Sequence, residues 1–402
     1  MNILSEIELN QKDMIAWRHD LHAHPEMAFK EYRTSDFVAG KLQEFGLEVH
    51  RGLAGTGVVG TLRLGSGSGR AIALRADMDA LPIQEKNSFA HASVNPGVMH
   101  ACGHDGHTTM LLGAARQLAK AGNFDGTVHF VFQPAEENEG GGRVMVEEGL
   151  FELFPVEAIY GMHNWPNLST GEFVVHPGPM MAAVDLFEVK IVGQGAHAAM
   201  PHLGDDPIVA SGAFITAVQT IVSRTADPLD SVVLSLTQIE GGNTWNIVPE
   251  EVRLTGTCRY FNPDVKPMVE KTLRRIADGV AKSHGVEIFI DYDHRCPPTV
   301  NAAGPVEFAA LAATKVVGGD KVCRDMAPSM GCEDFAFMLA AKPGCYVWIG
   351  NGPGDGGCTL HNSHYDFNDE ILPIGASYWC SLVETLLPAT PIFGKVDHGK
   401  AR

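Results

Sequence analysis

DGHTTMLLGAARQLAKAG, residues 105–122, has the apolar spacing of a helix and lies between two apolar runs of strand length, AIAL at 71–74 and VHFVF at 128–132. Asp105 reads as the helix N-cap, because its carboxylate can accept the first free backbone N–H groups, and Gly122 as the stop. A strand, a helix and a strand in that order need a crossover connection. The two strands are then parallel, and helices cover the faces of the sheet. A third run, EAIYG at 157–161, extends the same sheet. Ahead of it, WRHDLHAHPE predicts a helix ending before Pro25, and TSDFVAGKLQEFG an amphipathic helix ended by Gly46. In an open sheet of this kind the ligand crevice lies beyond the carboxyl ends of the strands.

Donor groups of metal-ligand type follow each of these runs. AIALRADMD ends in Asp77 and Asp79, VHFVFQPAEE in Glu136 and Glu137, and AIYGMHNW reaches His163. HACGHDGH, residues 100–107, places Cys102 and His104 just ahead of the helix, on the same side of the sheet. Cys102 and His104 are two apart, neither the helix-face spacing of HExxH nor the knuckle of a structural zinc ribbon, so a loop must present them. A lone cysteine or histidine is ordinarily a packed or surface residue. Convergence changes that reading, because a thiolate, imidazoles and paired carboxylates are hard to bury together unless a cation neutralises them.

Residues 182–297 follow another order. AAVDLFEVKIVG alternates as a strand, DPIVASGAFITAVQTIVSR is helical, and SVVLSLTQIEGG and EEVRLTGTCRYF are strands. VKPMVEKTLRRIADGVAKSHG is helical again and VEIFIDYD is the last strand. This β-α-β-β-α-β order is that of the split βαβ unit. The expected fold is an α/β catalytic domain, residues 1–181 and 298–402, with a mostly parallel mixed sheet flanked by helices, plus an inserted α+β ferredoxin-like domain at 182–297. After the insertion the first domain resumes with GCEDFAFMLAAKPG, the strand CYVWIG, a Gly-rich loop and LHNSHYDFND, which brings His361 to the same crevice.

A closed structural site needs four ligands. Here Cys102, His104, His163, His361 and one of the Glu136–Glu137 pair are offered together with a spare carboxylate, a surplus that suits two divalent ions with Cys102 as a bridge. Adjacent residues point in different directions, so one glutamate can bind metal while the other faces a water. Two ions would acidify that water from ~15.7 towards about 7 and polarise a carbonyl, with the free carboxylate as general base and then as acid to the leaving amine. That is amide hydrolysis. Without the strand and the histidines, the same pair would read as a solvated acidic turn.

Composition sets the outer bounds. The chain's 402 residues exceed what one core ordinarily serves, which favours two domains. A formal net charge of -18 argues against nucleic acid and anionic membrane surfaces as partners. An anionic substrate therefore needs a local cation. The opening residues, MNILSEIELNQKDMIAW, show no basic region followed by an apolar run, and no uninterrupted apolar stretch of membrane-spanning length is expected, so a cytoplasmic location is expected. Cys102, Cys258, Cys296, Cys323, Cys332, Cys345, Cys358 and Cys380 form no CxxC and read as free thiols.

Taken together, LHAHPE, RADMDALP, HACGHDGHT, FQPAEE, GMHNWP, GQGAHAAMPH, NIVPEEVRLTGTCRYF and the stretch from GCEDFAF to LHNSHYDFND resemble the amidohydrolase subgroup of the aminoacylase and carboxypeptidase-G-type metallohydrolases. That subgroup includes hippurate hydrolases, N-acyl-amino-acid amidohydrolases and auxin-conjugate hydrolases. The resemblance covers nearly the whole chain. It implies Cys102, His104, Glu137, His163 and His361 as ligands, Glu136 as the base, and the inserted domain as a dimerisation domain. It implies a homodimer or a dimer of dimers, in which His197 is offered across the dimer to the oxyanion. Asn246 and Arg259 match positions that meet the substrate, Arg259 supplying the missing cation for its carboxylate. By themselves these two read as a turn-capping Asn and an outward Arg on a strand.

Many relatives carry His-x-Asp where this chain has Asp77-Met78-Asp79, and an aspartate where it has Cys102. Asp77 is therefore not expected to be a ligand, and Asp79 is expected only to orient one. The softer thiolate leaves zinc, manganese, cobalt and nickel open. The expected reaction is hydrolysis of an N-acyl amino acid such as N-benzoylglycine. A deacetylase of an N-acetyl diamino acid, a dipeptidase and a non-catalytic metal sensor are the alternatives. His19, His22 and His24 are expected to form a helix end packed on the core, and His107 to begin the next helix. By loop position, GNGPGDGGC at 350–358 is expected to contribute to the acyl pocket.

Overall fold

The computed structural model describes residues 3–65, 69–137, 140–353 and 359–389. The chain divides into two compact units, Met1–Gly178 with Asn301–Met326 and Met338–Arg402, and Pro179–Val300 with Ala327–Phe337.

In the first unit eight strands form one sheet, in the order Glu48–Leu53, Gly57–Leu64, Gly126–Gln133, Ala71–Asp77, Ala158–Pro166, Gly344–Gly352, Phe173–Val174, Val322–Cys323. The four from Gly126–Gln133 to Gly344–Gly352 run parallel, as the crossover requires. Antiparallel pairs flank them on both sides. Covered on both faces, the central strands are buried along nearly their whole length, and every residue of Gly344–Gly352 is buried. Helices His104–Ala121, Ala303–Val317 and Leu372–Leu386 contribute Leu111, Leu118, Ala309, Trp379 and Val383 to one core with Ile72, Leu74, Phe130 and Phe132.

The helix expected at 105–122 runs His104–Ala121, with Gly122 at its end. Asp105 is not its cap. Gly103 holds that place in a left-handed conformation, φ +94°, and Asp105 lies inside the first turn with its side chain bonded to His22. Only glycine fits there, because a Cβ would lie 2.2 Å from Asn164 Nδ2. His104 is therefore the first helical residue, and His107 sits within the turn rather than starting it. The third strand is longer than the EAIYG run, because Gly344–Gly352 stays paired with it as far as Pro166, with Trp348 opposite His163. His163 thus stands on a strand, not after one.

The second unit has four antiparallel strands in the order Val232–Gly241, Glu251–Tyr260, Ala183–Val192, Glu287–Cys296. In chain order this is 2-3-1-4, the arrangement of the split βαβ unit. Helices Pro207–Thr220 and Val265–His284 pack Phe214, Val218, Val269 and Leu273 against Phe187, Val189 and Ile191. The stretch Pro207–Thr225 is long and apolar enough to cross a membrane by length and composition, although Gln219, Ser223 and Arg224 interrupt it. Its apolar residues face two ways: Ala210, Phe214, Val218 and Ile221 are buried, while Ile208, Val209 and Val222 are exposed. Residues 327–337, expected in the resumed first domain, group with this unit, where Arg259 Nη1 donates to Met330 O at 2.8 Å.

Candidate metal centre

Cys102, His104, Glu137, His163 and His361 all come from the first unit, and the fold brings them together. Their donor atoms form two triads, Cys102 with His104 and His163, and Cys102 with Glu137 and His361, each with its atoms within 4.8 Å of one another. The sulfur is common to both. Cys102 Sγ lies 3.4 Å from His163 Nε2, His361 Nε2 lies 3.1 Å from Glu137 Oε1, and His104 Nε2 lies 4.0 Å from the same oxygen. Donors bound to one ion at about 2.0–2.3 Å stand ~3–4 Å apart, so these spacings fit a cation between them. Among the described residues, buried His104 Nε2 has no hydrogen-bond partner, a deficit that an ion would remove. Glu136 groups with His104 and Glu137 within the same limit.

Each donor is aimed by its neighbours. His163 Nδ1 donates to Asn164 O at 2.6 Å, which fixes the tautomer and leaves Nε2 bare. His104 Nδ1 meets Asp79 Oδ1 at 3.2 Å, and Asp79 Oδ2 accepts the Glu137 N–H at 2.9 Å. The glutamate pair follows Ala135, whose φ of +55° is unusual for a residue with a Cβ. Buried Glu31 holds that turn by accepting the Ala135 N–H at 2.9 Å. His361 is itself left-handed, φ +62°, and its N–H donates to Ala101 O at 2.7 Å. Such strain is typical of backbone held for function.

Sequence reasoning missed Asn164 and Tyr365. Asn164 donates its side-chain amide to Cys102 O at 2.7 Å and accepts the Tyr365 hydroxyl at 2.7 Å, so it fixes the loop that carries the thiol. Its backbone N–H goes to His107 Nε2 at 2.9 Å, and His107 Nδ1 donates to Asp77 Oδ1 at 2.7 Å. Asp77 Oδ2 accepts from Arg75 at 2.8 Å. Asp77 and His107 are thus committed to scaffold bonds. His22 is buried at its helix end as expected, but carboxylates hold its ring there. Its Nδ1 meets Asp105 Oδ2 at 2.8 Å and its Nε2 meets Glu85 at 3.2 Å, partners too distant in sequence to be read from its neighbours.

Electrostatics point the same way. Burial alone would lower the pKa of His104, but Asp77, Asp79 and Glu137 push it up to about 10. Burial, with Glu137, Glu136 and Asp77, holds the Cys102 thiol well above its ordinary value. Burial and His107 hold His163 well below its own. A pocket that makes one histidine cationic and keeps a thiol protonated is short of positive charge. A divalent ion held there would supply that charge and favour loss of both protons.

In the second unit, a two-stranded ladder sets Ile247 opposite His197, and the Ala198 N–H donates to Asn246 O at 3.0 Å. His197 and Asn246, far apart in sequence, thereby share one exposed tip. Arg259 lies partly buried on its strand. Of the Gly-rich loop, residues 354–358 lie outside the described residues, and Cys358 with them; the other seven cysteines are free thiols.

A family model described as Peptidase family M20/M25/M40 matches residues 73–385. The chain belongs to that family. It is 40% identical over 383 residues to a hippurate hydrolase of Campylobacter jejuni, covering 95% of this chain and 98% of the relative. It is 39% identical over 373 residues to an N-acetyl-L-cysteine deacetylase of Bacillus subtilis, covering 92% and 86%. A solved Bacillus subtilis structure, described as a dinuclear metal binding peptidase from the M20 family, superposes with a TM-score of 0.82 at 34% identity over 95% of this chain and all of that one. As an M20/M25/M40 member, the chain is a metal-dependent hydrolase of amide bonds.

Proposed function

We propose that the enzyme cleaves N-acyl amino acids, hippurate-like substrates foremost, into a carboxylic acid and a free amino acid, with two divalent ions held by Cys102, His104, Glu137, His163 and His361. The observation that carries this reading is the pair of donor triads sharing Cys102, with Glu136 beside them. Similarity to a hippurate hydrolase supports an aromatic acyl group, and similarity to an acetylcysteine deacetylase makes an N-acetyl substrate the second reading.

When bound, the divalent ions, whether zinc, manganese, cobalt or nickel, supply Lewis acidity that polarises the amide carbonyl and acidifies the attacking water. Glu136 takes a proton from that water through its carboxylate and passes it to the amide nitrogen as the C–N bond breaks. The hydroxyl remains on the acyl carbon. Asp79 keeps His104 turned with Nε2 forward, and Asn164 does the same for His163. His197, offered across the dimer, donates to the developing oxyanion, Asn246 meets the substrate, and Arg259 pairs with the substrate carboxylate.

A homodimer joined through the second unit is part of this proposal. The strand Val232–Gly241 is a sheet edge exposing Val233 and Ile239, and the neighbouring helix exposes Ile208 and Val209. An open edge beside an apolar helix face is completed by a second copy. Free thiols support a reducing, cytoplasmic setting. The test is a panel of benzoyl, acetyl and indole-acetyl amino acids, assayed after chelation and after restoring single divalent ions. Benzoylglycine hydrolysis that chelation abolishes and one ion restores is expected. Failure of every substrate with every ion would overturn the proposal.

A further inference from the structure

His104 and His361 reach the centre on segments far apart in sequence, and one buried side chain ties those segments together. Arg18, 1% exposed, lies on the helix Gln11–Ala23. Its Nη1 donates to Asp366 Oδ1 at 2.8 Å and its Nε to Asp369 Oδ1 at 2.8 Å. The same Nη1 lies 3.8 Å from Asp105 Oδ2. Asp105 immediately follows His104, whereas Asp366 and Asp369 follow His361 on the run into the final helix. His22, one turn further along the same helix, takes a second hold on Asp105 at 2.8 Å, and His19 Nε2 meets Asp369 Oδ2 at 2.8 Å. One helix face therefore grips both ligand-bearing segments.

His361 needs such an anchor. Its side chain is half exposed and its backbone is left-handed, in contrast to the fully buried side chain of His104. A guanidinium holds carboxylates in the directions set by its planar fork, which an ammonium cannot do.

We propose that Arg18 is a positioning residue for the ion held by Cys102, Glu137 and His361, setting the distance between the His361 segment and the start of the His104 helix. The inference rests on the ligand assignment proposed above. It predicts an asymmetric loss. The ion shared by Cys102, His104 and His163 stays tightly bound when Arg18 changes, and the other is released.

The experiment strips the purified enzyme of metal and titrates zinc by calorimetry, with thermal denaturation of each variant alongside. The native chain, Arg18→Lys, Asp369→Asn and His361→Ala are compared. Arg18→Lys is expected to keep one tight ion and to bind the second about 10–100-fold more weakly, the range for losing an outer partner of a ligand. Asp369→Asn is expected to shift the same ion in the same direction, and it carries the test if Arg18→Lys does not fold. Native affinity for both ions in the folded variants, or equal weakening of both, overturns the inference. If His361→Ala still binds two ions tightly, the ligand assignment itself is wrong. If His361→Ala loses one ion while Arg18→Lys and Asp369→Asn lose none, only the role of Arg18 falls.

Discussion

Asp79 Oδ1 lies 3.2 Å from His104 Nδ1, and both side chains are fully buried. The carboxylate orients the ring and raises the basicity of Nε2, while its second oxygen holds the Glu137 backbone. Asp79→Asn keeps the shape but loses the charge. Metal affinity should drop about 10–100-fold with the fold intact, measured by zinc calorimetry. Native affinity in that variant would remove Asp79 from the centre.

Glu136 and Glu137 are neighbours with different expected losses. Glu136→Gln should bind the full metal complement and lose about 10²–10⁴ in kcat, the span attributed to a positioned general base. Glu137→Gln should lose metal first. Metal content by elemental analysis, set beside kcat, separates the two. A metal-loaded Glu136→Gln enzyme with native turnover would mean that the proton is handled elsewhere.

The α/β fold was legible because one crossover and three apolar runs are local signals, and the donor residues stand close to the strand ends. Cys102, His104 and the glutamate pair were visible for the same reason. What escaped is set by distant partners. Asp105 has the sequence context of a cap, yet His22 and Arg18 claim its carboxylate and Gly103 takes the cap. The strand carrying His163 is longer than its apolar run because a neighbour 180 or so residues later pairs with it. Asn164 and Tyr365 show no pattern at all until the loop bearing Cys102 closes on them.

Exposed apolar groups on the second unit carry the dimer prediction. Val209 is 57% exposed on its helix and Ile239 is 60% exposed on the edge strand. In a monomer, Val209→Glu and Ile239→Lys alter solvated positions and should change stability by no more than about 0.5 kcal/mol. In a dimer joined there, the pair of substitutions places buried charge in the interface and should shift the sedimentation profile to the monomer. An unchanged oligomer would move the contact to another surface.

Glu31 gives the pH dependence. It is buried, and its carboxylate accepts from Ala135 N–H at 2.9 Å, Phe29 N–H at 3.0 Å and the Thr56 hydroxyl at 2.6 Å. Burial nevertheless pushes its pKa from 4.5 up to about 7. Between those values the folded chain holds a proton that the unfolded chain has released. Its contribution to stability is therefore fully present below about pH 4.5 and is lost as pH rises through 7, on the order of 3 kcal/mol at about 1.4 kcal/mol per unit. Glu31→Gln can accept the two backbone N–H groups through its oxygen and donate to Thr56 through its nitrogen. That variant should match the native chain at pH 4 and exceed it at pH 8. Glu31→Ala strands three donors and should be less stable at both, by about 1–3 kcal/mol for each one left buried. Urea denaturation across this range checks all three chains, and a Gln variant that weakens with pH as steeply as the native protein would place the titrating group elsewhere.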